Sequence, residues 1–422
     1  MVKQLGEWAS GTGEMKVSRP KSSYQRDFVL FVSGQTLSRI GNGAYTVGLA
    51  WTVYAITGSP SAMGVLLAIN TIPELAFLLV GGTISDVLPK RLVILVCDSL
   101  AGVVLLVLTA CAASRHLNVL TLDIAAGVLG LVSAFYGPAY SAMNRSLLKT
   151  EKLRSGNSVL TVSGNAARLI GPPIAAMLYA AAGPKAVFGL DSLSFFVAVI
   201  AMALTRVSAD NRRHHVGIVA EARDGLHYTL KTRWLRAIIG LSVAANIACL
   251  APFFVLLAAV VRKDHGGIHL LGWLTATQVA ATIVGSMAVG SARWRLKRPG
   301  VNLVVLAAVM GAGAVVIGLA NRVLPLLFAG AALVGFGLSF DVIENTLIQA
   351  LVPRGMLSRV YSVDSLVSFG LLPVGYALAG ICASLVGPAA VFTVGGVIVV
   401  GVCVLTIAGQ YLSELDREGV SL

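Results

Sequence analysis

From Phe28 onward the chain alternates between long apolar runs and short polar links. A membrane-spanning helix needs about 20 apolar residues. Measured against that length, the pattern predicts twelve spans: 28–55, 61–83, 92–113, 119–143, 158–182, 186–205, 236–261, 269–290, 300–319, 324–350, 360–385 and 388–411. A large soluble protein buries such helices singly, so an unbroken series of this length points to a bilayer. The longest inner link, 207–235, contains "VAEARDGLHYTLKTRWL". Val219, Ala222, Leu226, Leu230 and Trp234 recur there at helical spacing. This predicts a helix lying on the membrane surface and joining two six-span halves.

Bulk composition agrees. The 422 residues are 56% hydrophobic and only 12% charged, with mean hydropathy +0.84, whereas soluble domains carry about 25% charged residues. A net charge of +13 would suit a nucleic-acid partner. The bases, however, sit in short clusters between apolar runs, so no such partner is expected. The clusters are the tail 1–26, Lys90 and Arg91, Arg145 to Arg154, Arg206 to Arg236, Arg293 to Arg298, Arg354 with Arg359, and Arg417. They fall on one side of the membrane and leave only Arg115, Lys185, Arg262, Lys263 and Arg322 on the other. The positive-inside rule then predicts a plasma-membrane protein with both termini cytoplasmic. Residues 1–26 hold no apolar run, and no cleavable leader is expected. Cys97, Cys111, Cys249, Cys382 and Cys403 all lie inside apolar runs without a CxxC, as packed residues do.

Weak internal repeats are in register with a 6+6 count. Met63-Gly64 and Leu271-Gly272 correspond, as do Gly82 and Gly290, and Gly183-Pro184 and Gly387-Pro388. The expected fold is all-α, with twelve transmembrane helices in two pseudo-symmetric six-helix bundles, 27–206 and 236–411. Cytoplasmic segments 1–26, 207–235 and 412–422 flank and link them. Such halves carry a substrate site near the membrane midplane.

The stretch "VGGTISDVLPKR" (80–91) ends the second span. Gly81-Gly82 predicts close helix approach. Asp86, Lys90 and Arg91 predict an inner-face charge latch between the halves, with Asp364 as its partner. At these residues the chain resembles the major facilitator superfamily, whose loop 2–3 signature runs glycine, aspartate, basic residues. Further stretches are similar to its twelve-span drug:proton antiporter branch, which includes macrolide efflux proteins and the enterobactin exporter. They are "GQTLSRIGNGAYTVGLAWTVYAITGSPSAMG" (34–64), "RLIGPP" (168–173), "GPKAVFGLDSLSFFVAVI" (183–200), "EARDGLHYTLKTRWLRA" (221–237) and "IQALVPRGMLSRVYSVDSLVSFGLLPVG" (348–375). The resemblance implies the major facilitator fold and marks Gly171 and Pro172 as a span-5 exporter motif. The chain departs from the branch at Asn42, where an acid is common, and at Pro89, Ala175 and Trp294.

Ionisable groups inside spans are functional candidates by default, because hydrocarbon penalises them. Glu74 lies roughly 18 Å from Asp86 along the second span, and Arg39 is similarly deep on the first, which invites a pair. Arg168 is mid-span on the fifth. Asp341 and Glu344 share a face of the tenth; Asp98 and Asp191 lie in the third and sixth. All six histidines fall in loops or at span ends, so a coupling proton would ride on a carboxylate. No GxxxxGK[ST] or HExxH occurs, and neither a cofactor, a metal nor an enzymatic activity is expected. The expected function is export of a hydrophobic or amphipathic small molecule (a drug, an antibiotic or a siderophore-like metabolite) by a monomer, in exchange for protons. A proton-coupled uptake symporter and a non-transporting receptor or scaffold are the alternatives.

Overall fold

The computed structural model describes residues 21–147, 153–206, 226–264, 267–290, 298–320, 323–353, 356–368, 370–412 and 415. Among them every regular element is a helix. The first half holds α1 (Lys21–Thr57), α2 (Pro60–Val87), α3 (Lys90–Ala113), α4 (Val119–Leu147), α5 (Leu153–Ala182) and α6 (Pro184–Leu204). The second holds α7 (Arg233–Ala245) and α8 (Ala251–Asp264), then α9 (Ile268–Val289), α10 (Pro299–Leu319), α11 (Leu324–Gly337), α12 (Phe340–Leu351), α13 (Leu357–Ser368), α14 (Leu372–Val386) and α15 (Pro388–Ala408). Ten runs are long and apolar enough to cross a membrane. The other two, α1 and α5, have 37 and 30 residues, ample length, but are too rich in glycine and polar side chains to qualify by hydropathy. Most of the expected surface helix in 207–235 lies outside the described residues; 226–231 is helical.

Three spans of the second half are broken, each with a visible cause. Between α7 and α8 the chain makes a π-helical turn, Asn246–Leu250. Pro252 follows; its ring opposes the carbonyl of Ala248, and the wider turn relieves that clash. The Asn246 side chain donates 3.0 Å to the Ser368 carbonyl at the end of α13. It thereby satisfies a carbonyl that the break before α14, where Pro373 sits, leaves without a helical donor. Between α11 and α12 the Ser339 hydroxyl donates to Phe336 O at 2.6 Å.

Glycines set the closest helix contacts. Gly34, Gly41 and Gly48 recur every seventh residue on α1 and face Ala201, Asp191 with Ser194, and Val187 of α6. In α2, Gly81 presses on the Ala134 carbonyl of α4, whereas Gly82 has open space around its Cα. The close approach expected of the Gly81-Gly82 pair is therefore made by Gly81 alone. Gly183 and Gly387, the repeated pair, both have positive φ (73° and 86°). Each ends one helix and lets the next begin at proline, a turn that L side chains resist.

Among the described residues, the close backbone contacts between the two halves lie toward one end. Gly64 of α2 lies against the Tyr376 carbonyl of α14, and a Cβ on Gly380 would come within 2.9 Å of Ser61 Cα. A Cβ on Gly272 of α9 would lie 2.8 Å from Pro172 O and 2.9 Å from Ala176 Cβ of α5. Across the same end the Arg262 guanidinium of α8 sits 5.8 Å from both the Trp51 and the Tyr54 ring centroids of α1. At the opposite end, which carries the α2–α3 link, Val87 is 76% and Leu366 65% exposed. Among the described residues, the contacts that join the halves therefore gather at the end of the hairpin turns 57–60 and 182–184.

Candidate functional site

Arg168 of α5 and Asp341 of α12 are both exposed although each lies within a helix, and their charges act on one another across the halves. Asp364 of α13 lies within electrostatic reach of Asp341 and Glu344, and accepts from the Ser368 hydroxyl at 3.0 Å. Glu344 is 5% exposed, and the Ser242 hydroxyl of α7 lies 2.9 Å from each of its carboxylate oxygens. Asp341 and Glu344 stand one turn apart on α12, which brings both to the same side. Three carboxylates from two helices thus lie within electrostatic reach of one another, and one of them, Asp341, also feels the Arg168 guanidinium of the other half. Pro172 explains part of Arg168's setting: four residues on, it lacks the N–H that would bond the Arg168 carbonyl. Gly171 beside it packs on Gly43 and Ala44 of α1. The Gly171-Pro172 pair thus contacts α1 of its own half and, through Pro172 O, Gly272 of the other.

Glu74 is half-buried on α2, directly after Pro73, and lies within electrostatic reach of Tyr376 of the opposite half. Arg39, expected to pair with it by depth, points elsewhere. Its guanidinium lies 4.5 Å above the Tyr140 ring. Equal depth did not bring them together, because α1 turns Arg39 toward α4 and α5.

Asp98 and Asp191 are each 1% exposed inside the first half. Asp98 Oδ2 accepts from Gln35 Nε2 at 3.0 Å, and the Tyr136 hydroxyl donates to Gln35 Oε1. Asp191 receives the Ser194 hydroxyl at 3.2 Å and backs onto Gly41.

Of the residues expected to form the latch, the Asp86 side chain lies outside what the structure describes. Arg91 Nη2 donates 2.5 Å to Ala203 O, the C-terminal turn of α6, a favourable place for a cation. Asp364 of α13 lies within electrostatic reach of Asp341 and Glu344. Lys90 opens α3 behind Pro89, and Asp86 lies in the last turn of α2.

Sequence reading missed Gln35, Tyr136, Tyr140 and Ser242. The signal was present in the spacing: Gln35/Arg39 and Tyr136/Tyr140 are both i, i+4 pairs of polar groups within spans. Among the described residues no group of His, Cys, Asp or Glu is arranged to hold a metal ion.

An all-helical body of long apolar spans, in which α2 packs on α14 and α5 on α9, is the architecture of a transporter of the major facilitator class. Solved structures agree on the fold. A bacterial homologue of the lysosomal transporter Spinster, inward-facing, matches with TM-score 0.64 at 14% identity, over 94% of this chain and 98% of that one. The nucleoside transporter NupG matches with TM-score 0.73 at 9% identity, over 90% and 99%. Residues 24–418 match the family described as transmembrane secretion effector, and the chain belongs to it. It is a transporter family, not one of enzymes. The multidrug efflux pump Tap of Mycobacterium tuberculosis is 25% identical over 407 residues, covering 92% of this chain and 94% of Tap. Macrolide efflux protein A of Streptococcus pyogenes is 20% identical over 94% of this chain and 99% of its own length.

Proposed function

We propose that this chain exports hydrophobic or amphipathic small molecules across the plasma membrane by exchange with protons, as a monomer working by alternating access. The halves 27–206 and 236–411 are the moving bodies and 207–235 is their tether. The observation that carries this reading is the electrostatic contact between Arg168 and Asp341, which are exposed side chains within spans of opposite halves. Ionisable groups placed inside spans where the two halves meet suit the coupling of transport to a proton gradient. With the basic clusters cytoplasmic, the end that carries the α2–α3 link faces the cytoplasm, from which a cargo to be exported would enter.

Between α1 and α5, Phe28, Val32, Leu37 and Ile40 of α1 and Val159 of α5 line a largely apolar groove of about 460 Å³. Apolar walls with a few polar groups suit drug-sized ligands. The relatives named as multidrug and macrolide efflux pumps support export over uptake. An exporter-deficient bacterial host expressing the chain tests this. Raised resistance to a set of lipophilic antibiotics, abolished by a protonophore, is expected. Increased sensitivity, from uptake, would overturn it.

A further inference from the structure

The antiport reading uses the carboxylates where the two halves meet. Asp98 is not among them, and its surroundings do not suit a permanent charge. It is 1% exposed, takes a single hydrogen bond from a neutral amide, and its Oδ1 has no partner. A buried carboxylate without a cation is strongly disfavoured and neutralises instead. The groups facing it are known from each packed element. Cys97 adjoins it on α3; α1 presents Gln35 and, one turn on, Arg39; α4 presents Tyr136 and Tyr140. Among the described side chains, the hydrogen-bonding influence on it is that of Gln35.

The arrangement is a matched double pair. On α1, Gln35 and Arg39 stand one turn apart on one face; on α4, Tyr136 and Tyr140 do the same. Gln35 meets Tyr136 through a hydrogen bond, and Arg39 meets Tyr140 through its ring. The two tyrosine rings stack with centroids 5.6 Å apart. Side chains on a helix lean toward its N-terminus, so Arg39 leans toward the level of Gln35 and Asp98. A one-turn advance of α1, or the guanidinium leaving Tyr140, exchanges a neutral donor for a cation at Asp98. Such one-turn displacements are a recognised form of switching between packed helices.

We propose that Asp98 is a proton-binding site buried apart from the cargo space, in competition with Arg39. It carries a proton on Oδ1 while Gln35 is its partner, as here. It releases that proton to water when Arg39 replaces Gln35. Gln35 and Tyr136 are positioning residues that hold the protonated arrangement. This rests on the antiport reading, since the proton that Asp98 yields is the one exchanged for cargo.

Infrared difference spectroscopy of the full-length protein in lipid, between acid and alkaline pH, tests it. The wild type is expected to show a protonated-carboxyl C=O band that titrates and that is lost in Asp98→Asn. Arg39→Gln removes the competing cation, so the same band is expected to persist upward by at least about one pH unit, a tenfold change in proton affinity. A purely structural role for Arg39 would not move that midpoint. Arg39→Gln also keeps Asp98 in place and decides the matter if Asp98→Asn does not accumulate. A spectrum unchanged by Asp98→Asn, or a midpoint unmoved in Arg39→Gln, overturns the proposal. Proton flux in proteoliposomes separates the two readings. Flux present in the wild type with no Asp98 band sinks this inference alone. Absent flux with the Asp98 band present sinks antiport and leaves Asp98 a titrating site.

Discussion

Gly64 of α2 and Gly272 of α9 occupy equivalent places in the two halves, and each presses on the backbone of the opposite half at the hairpin end: Gly64 on Tyr376, Gly272 on Pro172. The repeat that relates them in sequence thus reappears as a symmetric pair of seals. Gly272→Val would push side-chain atoms into Pro172 O and Ala176 Cβ. Overpacking costs about 1–3 kcal/mol, and here it falls on the sealed conformation only. The variant is expected to remain folded with transport reduced about tenfold or more. Thiol labelling of a cysteine introduced at Ser61 should rise, and unchanged labelling would show the seal to be elsewhere.

Arg262 spans the same seam over Trp51 and Tyr54. Cation–π contacts at exposed sites contribute about 0.5–1 kcal/mol each. Arg262→Ala should therefore raise labelling at Ser61 a few-fold, less than Gly272→Val does, while Arg262→Lys retains part of the effect. Equal labelling of all three proteins would remove Arg262 from the closure.

Among the described residues no basic group acts on Glu74, so neutralising it strands no buried cation there. Glu74→Gln is expected to keep wild-type abundance and melting temperature in detergent while impairing proton-driven export. A large drop in melting temperature would instead mark Glu74 as a structural group.

Glu344 is held by the Ser242 hydroxyl. Ser242→Ala removes that donor from a buried acid, a loss of about 1–3 kcal/mol for an unsatisfied group. Glu344→Gln with Ser242 intact should be milder in thermal stability but more damaging to proton-coupled transport. The reverse ranking would assign the pair to packing.

Orientation is open to a direct check. A single cysteine replacing His116 in a cysteine-free background should react with an impermeant thiol reagent in whole cells, and one at Ser10 should not. Reaction at Ser10 from outside would reverse the assigned faces.

The helical series was legible because hydropathy is a one-dimensional property: runs of the right length appear in any reading of the chain. Breaks within spans were not, since Pro252 and Pro373 show where a helix is strained but not whether a π turn or a full interruption resolves it. Candidate charges were legible one by one, because each stands out against hydrocarbon. Their partnerships were not. Depth along two helices placed Arg39 beside Glu74, whereas the rotation of α1, set by Gly34, Gly41 and Gly48 against α6, turned Arg39 to Tyr140. That heptad of glycines was visible in the sequence and fixes which way α1 faces. Likewise, that Asp364 lies within electrostatic reach of Asp341 and Glu344 could not be read from its place near a loop.

The amide of Asn246 ties the irregular turn between α7 and α8 to the end of α13. Mechanically this is a pinned joint. The lower arm of the eleventh span, α13, can swing about Ser368 while the upper arm, α14, stays clamped to α2 by Gly64 and Gly380. Opening and closing at the basic end then need not drag the seal at the other end along, so the two mouths of the molecule can be worked one at a time.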